Sequence, residues 1–226
     1  MIGKAESIGA WSGIVFVVLF FLGYWPLAGF LPPPAPSLSP LEVATLYRDH
    51  TLPIRLGVFV MMFAVVLFIP FSVALAEQMR RIAGIGPAMA QVQVIGSCIT
   101  MTLIVLSALL WGVVAFRPER NVDLTALLHD MVWLIFISPG PPACLLVAAF
   151  GFAVLADSRS RPIFPRWSGY ASLWAAVLFV PAQMAIFFKH GPFAWDGLFP
   201  FWVAFTVFTA WVLVAAALLK RAARIQ

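Results

Sequence analysis

The apolar positions of this chain gather into six long runs, roughly Ala10–Leu31, Leu56–Ala76, Ala90–Phe116, Met131–Leu155, Trp167–Phe188 and Leu198–Leu219. Crossing the hydrocarbon of a bilayer takes about 20 mostly apolar residues. Each run is long enough, and none holds an Asp, Glu, Lys, Arg or His in its interior. Turn residues or charges separate all six. Lys4 ahead of the first run gives it the look of a secretory signal. Its apolar core of about 20 residues exceeds the 7–15 of such a signal, so it is expected to be a retained span. The pattern predicts an all-α polytopic membrane bundle of six transmembrane helices, a single transmembrane domain over residues 1–226.

Between the runs, the polar positions predict local structure. In the first long connection, Pro32–Pro36 is a short extended polyproline stretch. Ser39, Pro40 and Glu42 then form a capping-box signature, with proline at the first helical position. A short helix is expected near residues 40–50, lying on the outer interface or over the mouth of the bundle. Asn121 or Asp123 can cap a helix running straight into the fourth span. That span is broken near its middle by Ser138-Pro139-Gly140-Pro141-Pro142, because proline lacks the N–H and clashes with the preceding turn. Pro70 and Pro181 also fall within spans. The third span carries a polar stripe of Gln91, Gln93, Ser97, Thr100, Thr102 and Ser107. With Gly96 it reads first as a helix–helix contact. The two halves of the chain show no residue-level repeat.

Composition strengthens this picture. The chain of 226 residues is 63% hydrophobic and 10% charged, with a mean hydropathy of +1.00. That leaves too few charges to cover a soluble domain and far too much apolar content for disorder. Net charge is +5, but the six-span arrangement divides it unevenly. One side carries nine basic and three acidic residues, the other five basic and six acidic. The positive-inside rule then places both termini in the cytoplasm. No basic stripe or binding motif accompanies the charge, so nucleic acid is not an expected partner. Trp11, Trp25, Trp111, Trp133, Trp167 and Trp202 fall near span ends, as an aromatic belt requires. Trp174 and Trp211 lie deeper and are expected to pack. Cys98 and Cys144 sit in apolar runs without a metal-type spacing and read as buried thiols.

Three features carry candidate chemistry. All three histidines, His50, His129 and His190, fall on the outer side, with Asp49, Asp130 and Asp196 in the same connections. Imidazoles beside carboxylates are the ingredients of a zinc or copper site, or of an acid–base pair. His50, His129 and His190 are therefore the candidate metal ligands, and His129 with Asp130 the candidate catalytic pair, although harmless interfacial histidines fit the same pattern. The second feature is the broken fourth span. Freed carbonyls there need a neighbour, water or a ligand, and discontinuous helices build midplane sites in transporters. Ser138, Pro139, Pro141, Pro142, Gln183, Trp133 and Thr100 are the candidate ligand-binding residues, against the plainer reading of a kinked bundle with satisfied backbone. The third is an absence. With no ionisable residue inside a span, a coupled pump or voltage sensor is disfavoured, as is a quinone or haem carrier.

Three functions stay open. One is a membrane protein that binds a hydrophobic or amphipathic small molecule, or serves as accessory subunit to a membrane partner. Another is a membrane enzyme with an outward-facing His/Asp site, and the third an uncoupled transporter or pore. Expected partners are the lipid bilayer, a hydrophobic small molecule, and a membrane protein or second copy of the chain. No particular cofactor is identified. Phe116-Arg117-Pro118-Glu119-Arg120, Phe164-Pro165-Arg166-Trp167 and Gly191-Pro192-Phe193-Ala194-Trp195 resemble segments of uncharacterised bacterial six-span membrane proteins. That resemblance implies a bacterial inner-membrane location and no particular activity.

Overall fold

The structure, a computed structural model, describes residues 2–225, with side chains described over residues 7–222. The side chains of Lys4, Glu6 and Arg224 lie outside that set. The fold is all-helical, with no strand among the described residues. Six helices are long and apolar enough to cross a membrane: Ser7–Leu27, Thr51–Arg80, Gly86–Phe116, Val122–Ala156, Arg166–Ile186 and Leu198–Ala222. Each contains or closely overlaps one of the six apolar runs. The second and fourth begin well before their apolar cores, the second directly after α2 and the fourth at a side-chain cap. Asn121 is the cap of the fourth, its Oδ1 accepting from the N–H groups of Asp123 and Leu124 at 2.9 and 3.3 Å.

In chain order, α1 (Ile2–Leu22) continues into a π-helical turn at Gly23–Leu27. The short helix α2 (Pro40–Asp49) follows. The second span is α3 (Thr51–Val66) and α4 (Phe68–Arg80), and the third is α5 (Gly86–Phe116). The fourth is α6 (Val122–Ile137) and α7 (Gly140–Ala156). The fifth is α8 (Arg166–Phe179) with a 3-10 segment at Val180–Ile186. The sixth opens with a π-helical segment at Leu198–Val203 before α9 (Ala204–Ile225). Short connections make successive spans antiparallel. One face of the bundle therefore carries the two chain ends, and the opposite face carries α2 and the connections around residues 117–121 and 187–197.

The third span is the central post, packed against α3, α4, α6 and α7, while α1 packs along α9, α4 and α3. Its polar stripe acts mainly as a helix–helix contact. Gln93 Nε2 donates to Ser72 Oγ at 3.2 Å and to Ser97 Oγ at 3.1 Å, tying α5 to α4. Thr100 Oγ1 returns to the Gly96 carbonyl at 2.7 Å, and Gly96 lets α7 close in at Leu146. A close backbone approach joins the π turn to α3. A Cβ on Gly57 would overlap the carbonyl oxygen of Gly23 and lie 2.7 Å from the Cβ of Ala28.

The outer surface is strongly apolar, with Phe59, Phe63, Phe187 and Trp174 among many large side chains exposed. A contiguous apolar exterior of this kind suits lipid and not water. The tryptophans depart from the simple belt. Trp11, Trp25, Trp167 and Trp202 are half-exposed near span ends, as expected. Trp111 and Trp133 are fully buried, because their helices turn those positions inward. Trp174 faces outward at 67% exposure instead of packing, whereas Trp211 is buried, its Nε1 donating to Ser172 Oγ at 2.9 Å.

On the terminal face, the connection from α7 to α8 is built around Asp157. Its buried carboxylate accepts from Arg159 Nε and Nη2, both at 2.7 Å, and from the backbone N–H groups of Arg159 and Ile163. The Arg159 hydrogen bond is the main cause holding this carboxyl below its ordinary value. Phe164 is buried against Phe150, fixing the far end of the connection.

Two outcomes follow from this packing. Gly57→Leu should lower stability by about 3 kcal/mol, the cost of overpacking where backbone meets backbone, seen as a reduced thermal midpoint in detergent. Asp157→Asn should also lower the midpoint at neutral pH. Because the folded carboxyl titrates below its unfolded value of 3.8, its contribution is complete above that value and is lost as pH falls through the lower folded one. The gap between wild type and Asp157→Asn should therefore close on acidification below pH 3.8.

Candidate ligand site

The polar groups singled out from the sequence separate into two places. The first lies beneath the face opposite the termini. The capping box of α2 forms as expected: Ser39 Oγ accepts from Glu42 N at 3.3 Å and the Glu42 carboxylate accepts from Ser39 N at 2.7 Å. The helix then buries Val43, Ala44 and Tyr47, one side of its surface, against α6. It sits over the bundle mouth. Tyr47 Oη lies 2.9 Å from His129 Nδ1, and both residues are buried. Burial pushes the Tyr47 phenol well above its ordinary value, so it stays protonated. The phenol and Nδ1 share one hydrogen bond, and the other ring nitrogen, Nε2, has no hydrogen-bond partner.

Around this pair stands an aromatic cluster. Trp195 and Trp133 each lie within about 6 Å of the His129 ring, at 5.9 and 6.0 Å between centroids. Trp111 meets Trp133 at 5.2 Å, Phe30 meets Trp111 at 4.7 Å, and Tyr24 meets Phe30 at 5.8 Å. Trp195 Nε1 donates to the Pro34 carbonyl at 2.8 Å, pinning the connection around residues 187–197 to the one that precedes α2. Tyr24 Oη, Trp111 Nε1 and Trp133 Nε1 are buried without partners, like His129 Nε2. The cluster is thus apolar in bulk but holds several unused hydrogen-bond donors.

The structure does not gather the proposed metal ligands. His129 is buried, whereas His50 and His190 are exposed, and no group of three or more His, Cys, Asp or Glu among the described residues is placed to hold a metal ion. Nor does it pair His129 with Asp130. Neighbouring residues on a helix point about 100° apart, and Asp130 is exposed while His129 faces inward. Asp196 is partly buried in the third connection, and that burial pushes its carboxyl up, with the charge of His190 opposing.

The second place is the broken fourth span. The helix stops at Ile137 and restarts at Gly140. Ser138 caps the end of α6, its Oγ and N both donating to the Leu134 carbonyl. Ala143 N returns to Pro139 O at 2.9 Å. Gly140 lets the fifth span close in here, since a Cβ would meet the end of the Gln183 side chain and force it to shift. Gln183 Nε2 is buried and has no partner. Beside this junction lies an apolar hollow of about 100 Å³. Its walls are Thr100 and Ile104 from α5, Phe136, Ile137, Pro139, Gly140 and Ala143 from the break, Phe179 and Ala182 from the fifth span, and Pro200, Phe201, Ala204, Phe205 and Phe208 from the sixth. A second hollow of about 70 Å³ shares Ile104, Phe136, Phe205 and Phe208 with it and reaches Phe16 and Phe20 on α1.

Of the candidate ligand-binding residues, Pro139 and Thr100 line the hollow. Gln183 stands behind Gly140. Ser138, Pro141, Pro142 and Trp133 are not in its walls, Pro141 being exposed and Trp133 belonging to the aromatic cluster. The contribution of the sixth span was not foreseen. Pro200, at the head of that run, is the local signal that marks it. Tyr47, 82 residues from His129, left no such signal.

Removing the phenol tests the first place. Tyr47→Phe strands a buried imidazole nitrogen and should cost about 1–3 kcal/mol in thermal or denaturant stability. Tyr47→Phe combined with His129→Phe, which removes both polar partners, should cost less than the sum of the single changes.

No protein-family model, curated protein or solved structure matches this chain.

Proposed function

We propose that this protein is a bacterial inner-membrane protein, with both termini in the cytoplasm, that holds a small hydrophobic or amphipathic molecule inside its helix bundle. The observation that carries the reading is the apolar hollow of about 100 Å³ against the break of the fourth span. Aromatic and aliphatic side chains form nearly all of its walls, as in small-molecule sites generally. An engineered apolar cavity of about 150 Å³ stays dry and takes up benzene. With the adjoining hollow of about 70 Å³, the space suits a short alkyl chain or a single ring. The Thr100 hydroxyl keeps acceptor capacity in the wall, and the spare Gln183 amide lies just behind Gly140, so a ligand with one polar group suits the site better than a pure hydrocarbon.

The enzyme reading has one observation in its favour, the buried and unpartnered His129 Nε2 among aromatic rings. Asp130, on another side of α6, supplies no carboxylate to it, so the binding reading stands first. A role as accessory subunit to a membrane partner remains compatible with the apolar exterior.

Mass spectrometry of small molecules extracted from the purified protein tests the reading. Wild type should release an apolar compound in a fixed ratio to protein. Ala143→Phe fills the hollow and should reduce that ratio about tenfold or more while preserving the fold. An equal yield from wild type and Ala143→Phe would refute the assignment.

A further inference from the structure

A second feature lies on the terminal face, away from the internal hollow. There α8 and α9 pack loosely and leave a groove of about 310 Å³, walled by Trp167, Trp174, Leu178, Val207, Trp211 and Leu218. The groove is apolar, and its Ser172 hydroxyl is already engaged by Trp211. Its walls lead to the start of α8 and the end of α9. At that end the 159–165 connection and the last turns of α9 frame a recess of about 590 Å³ that contains Arg159, Arg161 and Arg221 and, among the described residues, no acidic one. Asp157 is turned inward and holds Arg159 by two hydrogen bonds. Arg161 and Arg221 are exposed and form no ion pair with a described residue.

We propose that this groove and recess together bind one anionic phospholipid, its phosphate in the recess with Arg161 and Arg221 and an acyl chain along the α8–α9 groove. Guanidinium groups match phosphate oxygens in pairs, and basic pockets between spanning helices are sites for anionic headgroups. Trp167, at the junction of the two parts, has the amphipathic ring that sits at headgroup level. The apolar groove selects a chain-bearing ligand over a free anion. A partner helix would fill the groove but leave the two arginines without counter-charge. The Asp157 network holds the connection in place, so the recess exists before the lipid arrives.

The full-length protein in dodecyl maltoside, titrated with phosphatidylglycerol or with phosphatidylcholine of the same chains, provides the test, bound lipid being counted by native mass spectrometry. Phosphatidylglycerol should bind more tightly than phosphatidylcholine. The double variant Arg161→Gln/Arg221→Gln should weaken it roughly thirtyfold, at the per-residue strength usual for arginine near an anionic headgroup. Ala210→Trp, which obstructs the groove, should weaken it too, whereas Arg48→Gln on the opposite face and Ala143→Phe in the internal hollow should not. Each variant's thermal midpoint is also read with and without lipid against its own baseline, so a less stable variant still reports binding. Undiminished phosphatidylglycerol binding by Arg161→Gln/Arg221→Gln overturns the proposal. So does equal competition by inorganic phosphate in wild type and Ala210→Trp, which would mark a free-anion site.

Discussion

Inside a bilayer no water takes up a spare backbone N–H or C=O, so every interruption of a spanning helix has to be settled by the protein itself. Much of this structure follows from that demand meeting its prolines. Leu67 divides the second span just before Pro70, and Ser138-Pro139 divides the fourth. Pro26 falls in the π turn at Gly23–Leu27, Pro181 in the 3-10 segment at Val180–Ile186, and Pro200 in the π segment at Leu198–Val203. In each case the chain keeps a helical course and changes only its hydrogen-bond reach. Irregular helices cannot mesh like regular ones. Where three of these segments face one another, around Pro139, Ala182 and Pro200, packing leaves a hollow.

The polar groups obey the same economy by a different route. Hydroxyls in the spans mostly return to the carbonyl one turn back, as Thr100, Ser107 and Ser172 do. Gln93 reaches across to Ser72 and so joins two spans. Among the described residues the exceptions are Gln93 Oε1, Gln183 Nε2 and a group near the face opposite the termini, where Tyr24, Trp111, Trp133 and His129 each keep a buried polar atom without a partner. Aromatic rings supply the bulk that closes this end of the bundle. Tyr47 from α2 and Trp195 from the last connection complete it, so segments far apart in the chain share one plug.

The span count, the order of helices, the α2 capping box and the place of the fourth-span break were all legible in the sequence, because each depends on residues close together in the chain. A run of apolar residues, a Ser-Pro-x-Glu signature and a Pro-Gly-Pro-Pro cluster carry their meaning locally. Helix starts were less legible: Val122 and Thr51 precede their apolar cores, and at Val122 the reason is the Asn121 cap, which needs one polar residue and no hydropathy. Which way a residue faces was least legible. Trp111 and Trp133 look like belt residues by position along the chain, and only the rotation of α5 and α6 buries them. His129, His50 and His190 share a side of the membrane by count, yet burial separates the first from the others. About a third of the wall of the hollow comes from the sixth span, whose register against the break depends on how α9 lies along α1.

The plug of Tyr47, Trp195, Phe30, Trp111 and Trp133 has a consequence for access. It covers the bundle on the side of α2, so a guest of the proposed kind would reach Phe205 and Phe208 sideways between helices, out of the lipid. Such a guest would arrive at a rate set by its mole fraction in the membrane and not by its molarity in water. A compound scarce in the surrounding fluid but strongly partitioned into the bilayer then competes on favourable terms with one that is plentiful and polar. Selection of guests would begin at the membrane, before any side chain of this protein is touched.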